Sequence, residues 1–261
     1  MDGALWVAKT GLQAQDARMR EISNNLANVN TTGFKTGRVN FADLLYQNVV
    51  QPGGPSSTQT QQPTGLMMGT GVRIVSTEKD FSEGTLEQTN NSLDVAINGR
   101  GFIQVQLPDG TLAYTRDGSL KIDSQGQLVT NRGYPIQPGV NLPNNTQSVT
   151  ISSDGIVSAQ VPGQAAPQQV GTLTLADFMN APGLQPMGQN MYLETASSGP
   201  PQTGTPGVNG IGTLEQGMLE ASNVNVASEL VNMIETQRAY EMNSRAIQTS
   251  DQMLQFITQN L

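Results

Sequence analysis

The sequence predicts an α+β protein: long N- and C-terminal helices packed as a coiled-coil-like base, a central antiparallel β-rich domain, and extended connecting segments. Three observations carry this expectation. Apolar residues recur at heptad spacing at both ends of the 261-residue chain. Between them, short runs alternate apolar and polar residues and are separated by Asp-Gly turns. Two uncharged stretches rich in Gln, Pro, Ser, Thr and Gly divide these regimes in mirrored positions.

At the N-terminus, Leu5, Leu12, Met19 and Leu26 recur every seven residues. Ala8, Gln15, Ile22 and Val29 interleave with them, which is an a/d stripe. Asp2 can cap the start. The pattern stops at Asn28-Val29-Asn30-Thr31-Thr32-Gly33, where turn formers gather and Gly33 can take a positive φ. The C-terminus mirrors it with Val226, Met233, Tyr240, Ile247 and Leu254, although the companion series Leu230, Gln237, Ser244, Asp251, Thr258 is mostly polar. Asn225 can cap this second helix, and Glu241–Arg245 is a well-oriented i,i+4 pair. At 1.5 Å per residue, 226–259 spans roughly 50 Å. Polar companions weaken each seam, and Trp6, Val7, Ile234 and Met242 lie off the main stripes. Such helices call for more than one neighbour.

The middle reads as β. Alternation marks Ile103/Val105/Leu107, Leu112/Tyr114, Leu120/Ile122, Val149/Ile151 and Leu173/Leu175. Asp109-Gly110, Asp117-Gly118 and Asp154-Gly155 read as hairpin turns. No helical stretch of crossover length separates the runs, so the strands should be antiparallel. Gln51–Gly65 and Ala196–Gly210 read as flexible or extended connections. The organisation that follows is a terminal helical region of 1–30 plus 225–261, an extended or β connecting region of 31–71 plus 196–224, and a β-rich domain of 72–195.

Composition excludes much chemistry. The chain has no His and no Cys, so a Ser-His-Asp triad, a thiolate nucleophile, a zinc finger and a disulfide framework are impossible. With 13 Lys+Arg against 21 Asp+Glu it sits at −8, which argues against nucleic acid as a partner. Only 13 % of residues are charged, about half the roughly 25 % usual in globular domains. No apolar run is long enough for membrane insertion, and MDGALWVAKTGLQAQ lacks the features of a cleaved signal peptide. Gly69-Thr-Gly71, Gly99-Arg-Gly101 and Gly210-Ile-Gly212 lack the third glycine of a dinucleotide loop. Paired carboxylates are the one catalytic option left, and Asp94, Asp109, Asp117, Asp123 and Glu194 could supply them. Most of these sit in turns, where Asp is expected for backbone reasons. No enzyme, cofactor or metal site is therefore expected.

The stretch Asn24-Asn25-Leu26-Ala27-Asn28-Val29-Asn30-Thr31-Thr32-Gly33-Phe34-Lys35 resembles the N-terminal signature of the bacterial flagellar rod and hook proteins. Ser222–Val226, Glu229–Ile234, Gln237–Glu241 and Asp251–Leu254 resemble that family's C-terminal signature. Within the family, Asp43–Gln47, the polar insert of 46–65 and Gly69–Arg73 are similar to the distal-rod type. The resemblance implies a structural subunit that polymerises helically into a hollow shaft, in the basal body and across the periplasm. Implied partners are copies of itself, proximal rod proteins, the hook protein, the peptidoglycan and outer-membrane bushing rings, and the flagellar type III export apparatus. Asn25, Leu26, Ala27, Asn28, Gly33, Phe34 and Lys35 are the signature residues. Phe41 and Leu45 resemble a short export signal of such substrates, with packing in the folded subunit as the open alternative. Tyr46, Pro52, Pro55 and Pro63 frame an insert expected to order on assembly and resist sliding of subunits along the axis. A proximal-rod or hook type and an extracellular fibre or adhesin subunit are the competing readings.

Overall fold

A 26-residue helix, α1 (Asp2–Ala27), opens the chain, and a 34-residue helix, α2 (Val226–Gln259), closes it. The computed structural model describes residues 2–53, 63–143, 145–163 and 166–259. These form two compact units. One comprises Met1–Leu26, Gly37–Glu78 and Val226–Leu261, and the other Ala27–Thr36 and Lys79–Asn225.

In the first unit, α1 lies along a β-ribbon. Strand β1 (Gly37–Asp43) pairs with β4 (Val72–Lys79), and β2 (Gln47–Val50) pairs antiparallel with β3 (Leu66–Met68). The ribbon is tied to the helix at two points. Asn25 Nδ2 donates to the Gly37 carbonyl at 2.9 Å, while the Gly37 N–H donates to Asn25 Oδ1 at 2.9 Å. Nearer the N-terminus of α1, the Val72 N–H donates to Thr10 Oγ1 at 3.3 Å. A Cβ on Gly71 would stand 2.2 Å from that oxygen, so glycine is required where ribbon and helix meet.

The coiled-coil-like base is corrected by the way α1 meets α2. A coiled coil seats apolar a and d side chains of each helix in holes of the other. Here the antiparallel contact includes polar side chains of both helices. Arg18 Nη2 donates to Asn232 Oδ1 at 3.4 Å, and Asn243 stands 3.2 Å from the position a Cβ on Gly11 would take. Thr236 is buried, its hydroxyl donating to the Asn232 carbonyl at 2.6 Å. Of the heptad residues on α1 only Ile22 is buried, while Leu230 and Tyr240 on α2 are exposed. The polar companion series is the physical reason: it gives α2 no second apolar row to interlock. In the return segment the chain forms the strands Gln202–Gly204, Thr213–Gln216 and Met218–Glu220. The protein is β-rich with one helix at each end.

The second unit is built on a seven-stranded antiparallel sheet centred on Phe102–Gln106 and Leu112–Thr115. The alternation at Ile103/Val105 marks one core face, where these residues join Val95, Leu120, Leu128, Ile136 and Leu175. The opposite face is buried too, under Phe102, Tyr114, Phe178, Leu184 and Tyr192. Outbound strands are closed by returning ones: Val95–Asn98 pairs with Thr213–Gln216, and Leu86–Gln88 with Met218–Glu220. Asp117-Gly118 is not a hairpin turn. Gly118 is needed because a Cβ there would lie 1.6 Å from the Val95 carbonyl oxygen.

The aromatic face has a titration consequence. Tyr114 meets Phe178 edge-on at 4.8 Å between centroids. Burial, with the Glu194 carboxylate adding to it, pushes the Tyr114 phenol up to about 12, and burial does the same to Tyr192. The folded protein thus keeps protons that the unfolded chain releases near 10.0. The stability they contribute is complete below that pH and is lost as pH rises toward 12. Spectrophotometric titration should show a late phenolate phase that Tyr114→Phe and Tyr192→Phe each reduce. A titration completed near pH 10 would contradict it.

Candidate functional site

The signature turn ends in a buried charge cluster. After α1, the Thr31 N–H and hydroxyl bond back to the Asn28 carbonyl and side chain at 3.1 and 3.2 Å, closing the turn. Gly33 then takes φ +67°, donating its N–H to the Glu220 carbonyl at 2.7 Å. A Cβ on Gly33 would fall 2.8 Å from the Arg116 carbonyl carbon and oxygen. Gly33→Ala therefore combines backbone strain of about 1–3 kcal/mol with a clash against main chain. It should lower the denaturant midpoint of the second unit clearly, and an unchanged midpoint would refute the close approach.

Phe34 is half-buried, with the Lys79 ammonium 4.7 Å above its ring. Lys35 is fully buried. Its Nζ donates to Glu220 Oε1 and to the Ser82 carbonyl, both at 2.6 Å. Glu220 Oε1 also accepts from the Gly84 N–H at 2.9 Å and Arg116 Nη1 at 3.3 Å. Arg116 is held by the Gly101 carbonyl at 3.1 Å and by the Gly99 carbonyl. Burial, reinforced by the Arg116 charge, holds the Lys35 ammonium below its usual range, while Glu220 opposes that shift. Nearby, Asn223 Oδ1 accepts from the Thr36 N–H and hydroxyl at 2.8 Å, and its Nδ2 donates to the Asp80 carbonyl at 2.9 Å. The cluster thus joins outgoing chain, returning chain and central sheet. Asn223 lies in the Ser222–Val226 stretch that carries the C-terminal resemblance, whereas Arg116 and Glu220 are not among the site residues expected from sequence. The available signal was an isolated charge, Glu220, in an otherwise apolar return strand.

The remaining signature residues sit at the end of α1. Asn25 is buried, Leu26 half-buried and Ala27 exposed. Asn25 and Arg18 stabilise the Glu229 carboxylate on α2, yet burial dominates and raises its pKa. Among the stripe residues, Leu5, Leu12, Met19, Met233 and Ile247 are half-buried, and Val226 is exposed. The Leu254 side chain lies outside the described residues. Opposite the side of α2 that faces α1, Leu230, Val231, Ile234 and Met242 form an exposed apolar face.

The ribbon carries a second apolar surface. Phe41 lies in β1, and Leu45, just beyond it, is 90 % exposed. Tyr46, Val49, Leu66, Met67 and Met68 are exposed on and beside the β2–β3 hairpin. Pro52 and Pro63 are exposed at its end, and Pro55 lies outside the described residues. A two-stranded hairpin is marginal by itself, and apolar patches of this kind mark contact surfaces.

The carboxylates considered for catalysis mostly serve turns. Asp109, Asp117 and Asp123 accept from the backbone N–H groups of Thr111, Ser119 and Gln125 at 3.0, 3.0 and 2.8 Å. Among the described residues no acidic cluster could hold a metal ion, and no helix is long and apolar enough to cross a membrane.

Comparison with known proteins gives these surfaces their setting. Residues 5–35 match the flagella basal body rod protein family, 96–159 the D1 domain of the flagellar hook protein FlgE/F/G group, and 215–260 the flagellar basal body rod FlgEFG C-terminal family. The chain is 59 % identical over 256 residues to the flagellar basal-body rod protein FlgG of Buchnera aphidicola subsp. Schizaphis graminum, covering 98 % of each chain. The chain belongs to the FlgG family. Members of that name from Borreliella burgdorferi and Bacillus subtilis are 48 % and 36 % identical to it, with at least 96 % of each chain covered. As a FlgG family member it is a structural subunit of the flagellar rod rather than an enzyme. The buried cluster is accordingly part of its framework, and the exposed apolar faces are candidate contact surfaces.

Proposed function

We propose that copies of this chain polymerise helically into the hollow distal rod, which carries torque from motor to hook and conducts exported subunits. The exposed apolar face of α2 supports this most directly, because contiguous apolar patches of this kind mark surfaces that bury against a partner. Assembly is assigned to the helices of 1–30 and 225–261, which carry the stripe of Leu5, Leu12, Met19, Ile22, Leu26, Val226, Leu230, Met233, Tyr240, Ile247 and Leu254. The chain is delivered by the flagellar export apparatus, with Phe41 and Leu45 as its signal or as packing residues. Proximal rod proteins lie below it, the hook protein above, and the bushing rings of the peptidoglycan and outer membrane outside it. The insert of 46–65 bridges axially adjacent subunits, its apolar hairpin residues anchoring one end while Pro52, Pro55 and Pro63 limit the entropy lost on ordering.

Electron microscopy of concentrated purified protein tests this reading. Straight hollow filaments are expected, and protein that stays monomeric at high concentration would count against self-assembly. Deleting residues 56–62 should leave filaments that form but bend more easily, read as a shorter persistence length. Filaments as straight as the parent's would place the stiffness elsewhere.

A further inference from the structure

The Lys35–Arg116–Glu220 cluster does more than join the N-terminal signature to the returning chain. Lys35 and Glu220 stand 185 positions apart in the chain, yet their side chains are completely buried against each other. Arg116, 3 % exposed, approaches the same carboxylate oxygen from the end of the central Leu112–Thr115 strand. Glu83, the other acid acting on Lys35, lies at the surface.

The balance of charge is one-sided. With Glu220 in place, two cations share one buried anion and three further carbonyl acceptors, from Ser82, Gly99 and Gly101. Without Glu220, closing the unit would bury two neighbouring cations with no anion between them. Desolvation and like-charge repulsion would then both oppose closure. Without Lys35, by contrast, Arg116 and Glu220 would remain a neutral pair.

We infer that Glu220 is the keystone of a folding latch: the Ala27–Thr36 and Lys79–Asn225 unit cannot close its central strands until residues 218–220 have joined it. The strand pairings point the same way, because among the described residues Leu86–Gln88 and Val95–Asn98 have Met218–Glu220 and Thr213–Gln216 as their strand partners. In a chain delivered N-terminus first through a narrow channel, the unit would stay open until all but residues 221–261 had passed. This consequence rests on the export reading above, whereas the latch itself does not.

Refolding of the full-length chain from denaturant, followed by pulsed hydrogen exchange, tests it. Amides of Val95–Asn98, Phe102–Gln106 and Leu112–Thr115 should gain protection in the same phase as Met218–Glu220. In the Lys35→Met/Arg116→Met/Glu220→Met variant, which has no charge to balance, Phe102–Gln106 and Leu112–Thr115, which pair with each other, should gain protection in a separate, faster phase. If that variant does not fold, Lys35→Met takes its place, and its central strands should be protected sooner than the parent's. Early protection of the central strands in the parent chain would overturn the latch. So would a single unchanged phase in the variants, which would assign the coupling to strand pairing alone. Absence of the protein from the export pathway would remove the export context and leave these readouts untouched.

Discussion

Glu220→Leu should destabilise the unit of Ala27–Thr36 and Lys79–Asn225 by about 3–5 kcal/mol, the usual cost of removing one partner from a buried ion pair. The substitution leaves Lys35 and Arg116 in the interior without an anion, and it strips the Gly84 N–H of its acceptor. Lys35→Met should cost less, because the Arg116–Glu220 pair survives and the methionine fills the space of the lysine stem. Combining Lys35→Met with Glu220→Leu should fall short of the sum of the single effects, since the two groups share one interaction. Denaturant unfolding, followed by the near-ultraviolet dichroism of the Phe102–Tyr114–Phe178–Tyr192 cluster, reports on this unit. A shift below about 1 kcal/mol for Glu220→Leu would mean that the cations find other partners, and the cluster would then lose its structural role.

The two helices were legible because heptad spacing and turn-forming residues are local signals. The turn formers after Ala27 and the possible cap at Asn225 bracket α1 and α2 closely. What each helix faces was not legible. Periodicity gives the spacing of apolar residues and says nothing about which side meets a partner. The face of α2 that meets α1 is built instead from Glu229, Asn232, Thr236 and Asn243, with Arg18 and Asn25 opposite. Gln15, Ser244 and Asp251 in the companion series already signalled that two complete seams were lacking. In the β region, alternation at Ile103 and Val105 marked one buried face, but Phe102 and Gln104 are buried as well because a second layer covers them. Gly118 carried the signal of a turn and serves a close approach, a distinction that depends on Val95, far from it in sequence. The Lys35–Glu220 pair was beyond any local pattern. Only the fold brings those residues together, whereas the resemblance of both chain ends to one family pointed to function without describing that contact.

Ile234→Asp combined with Met242→Asp should abolish filament formation while leaving the subunit folded. Both side chains are exposed, at 49 % and 66 %, on the side of α2 away from α1. Exposed substitutions of this kind change subunit stability by about 0.5 kcal/mol or less. In a filament the same positions would be covered, and an unpaired carboxylate buried there costs several kcal/mol. That cost recurs at every subunit, so a helical polymer cannot concentrate it at a few defective contacts. Ile234→Ala is the graded control. It removes roughly 2 kcal/mol of apolar burial and should raise the critical concentration for assembly by more than about tenfold without abolishing it. Sedimentation against protein concentration measures both, with circular dichroism confirming that the helices persist. Filaments from the double Asp variant at the parental concentration would show that this face looks onto solvent, and the contacts would then have to be sought on α1 and on the apolar hairpin around Tyr46, Met67 and Met68.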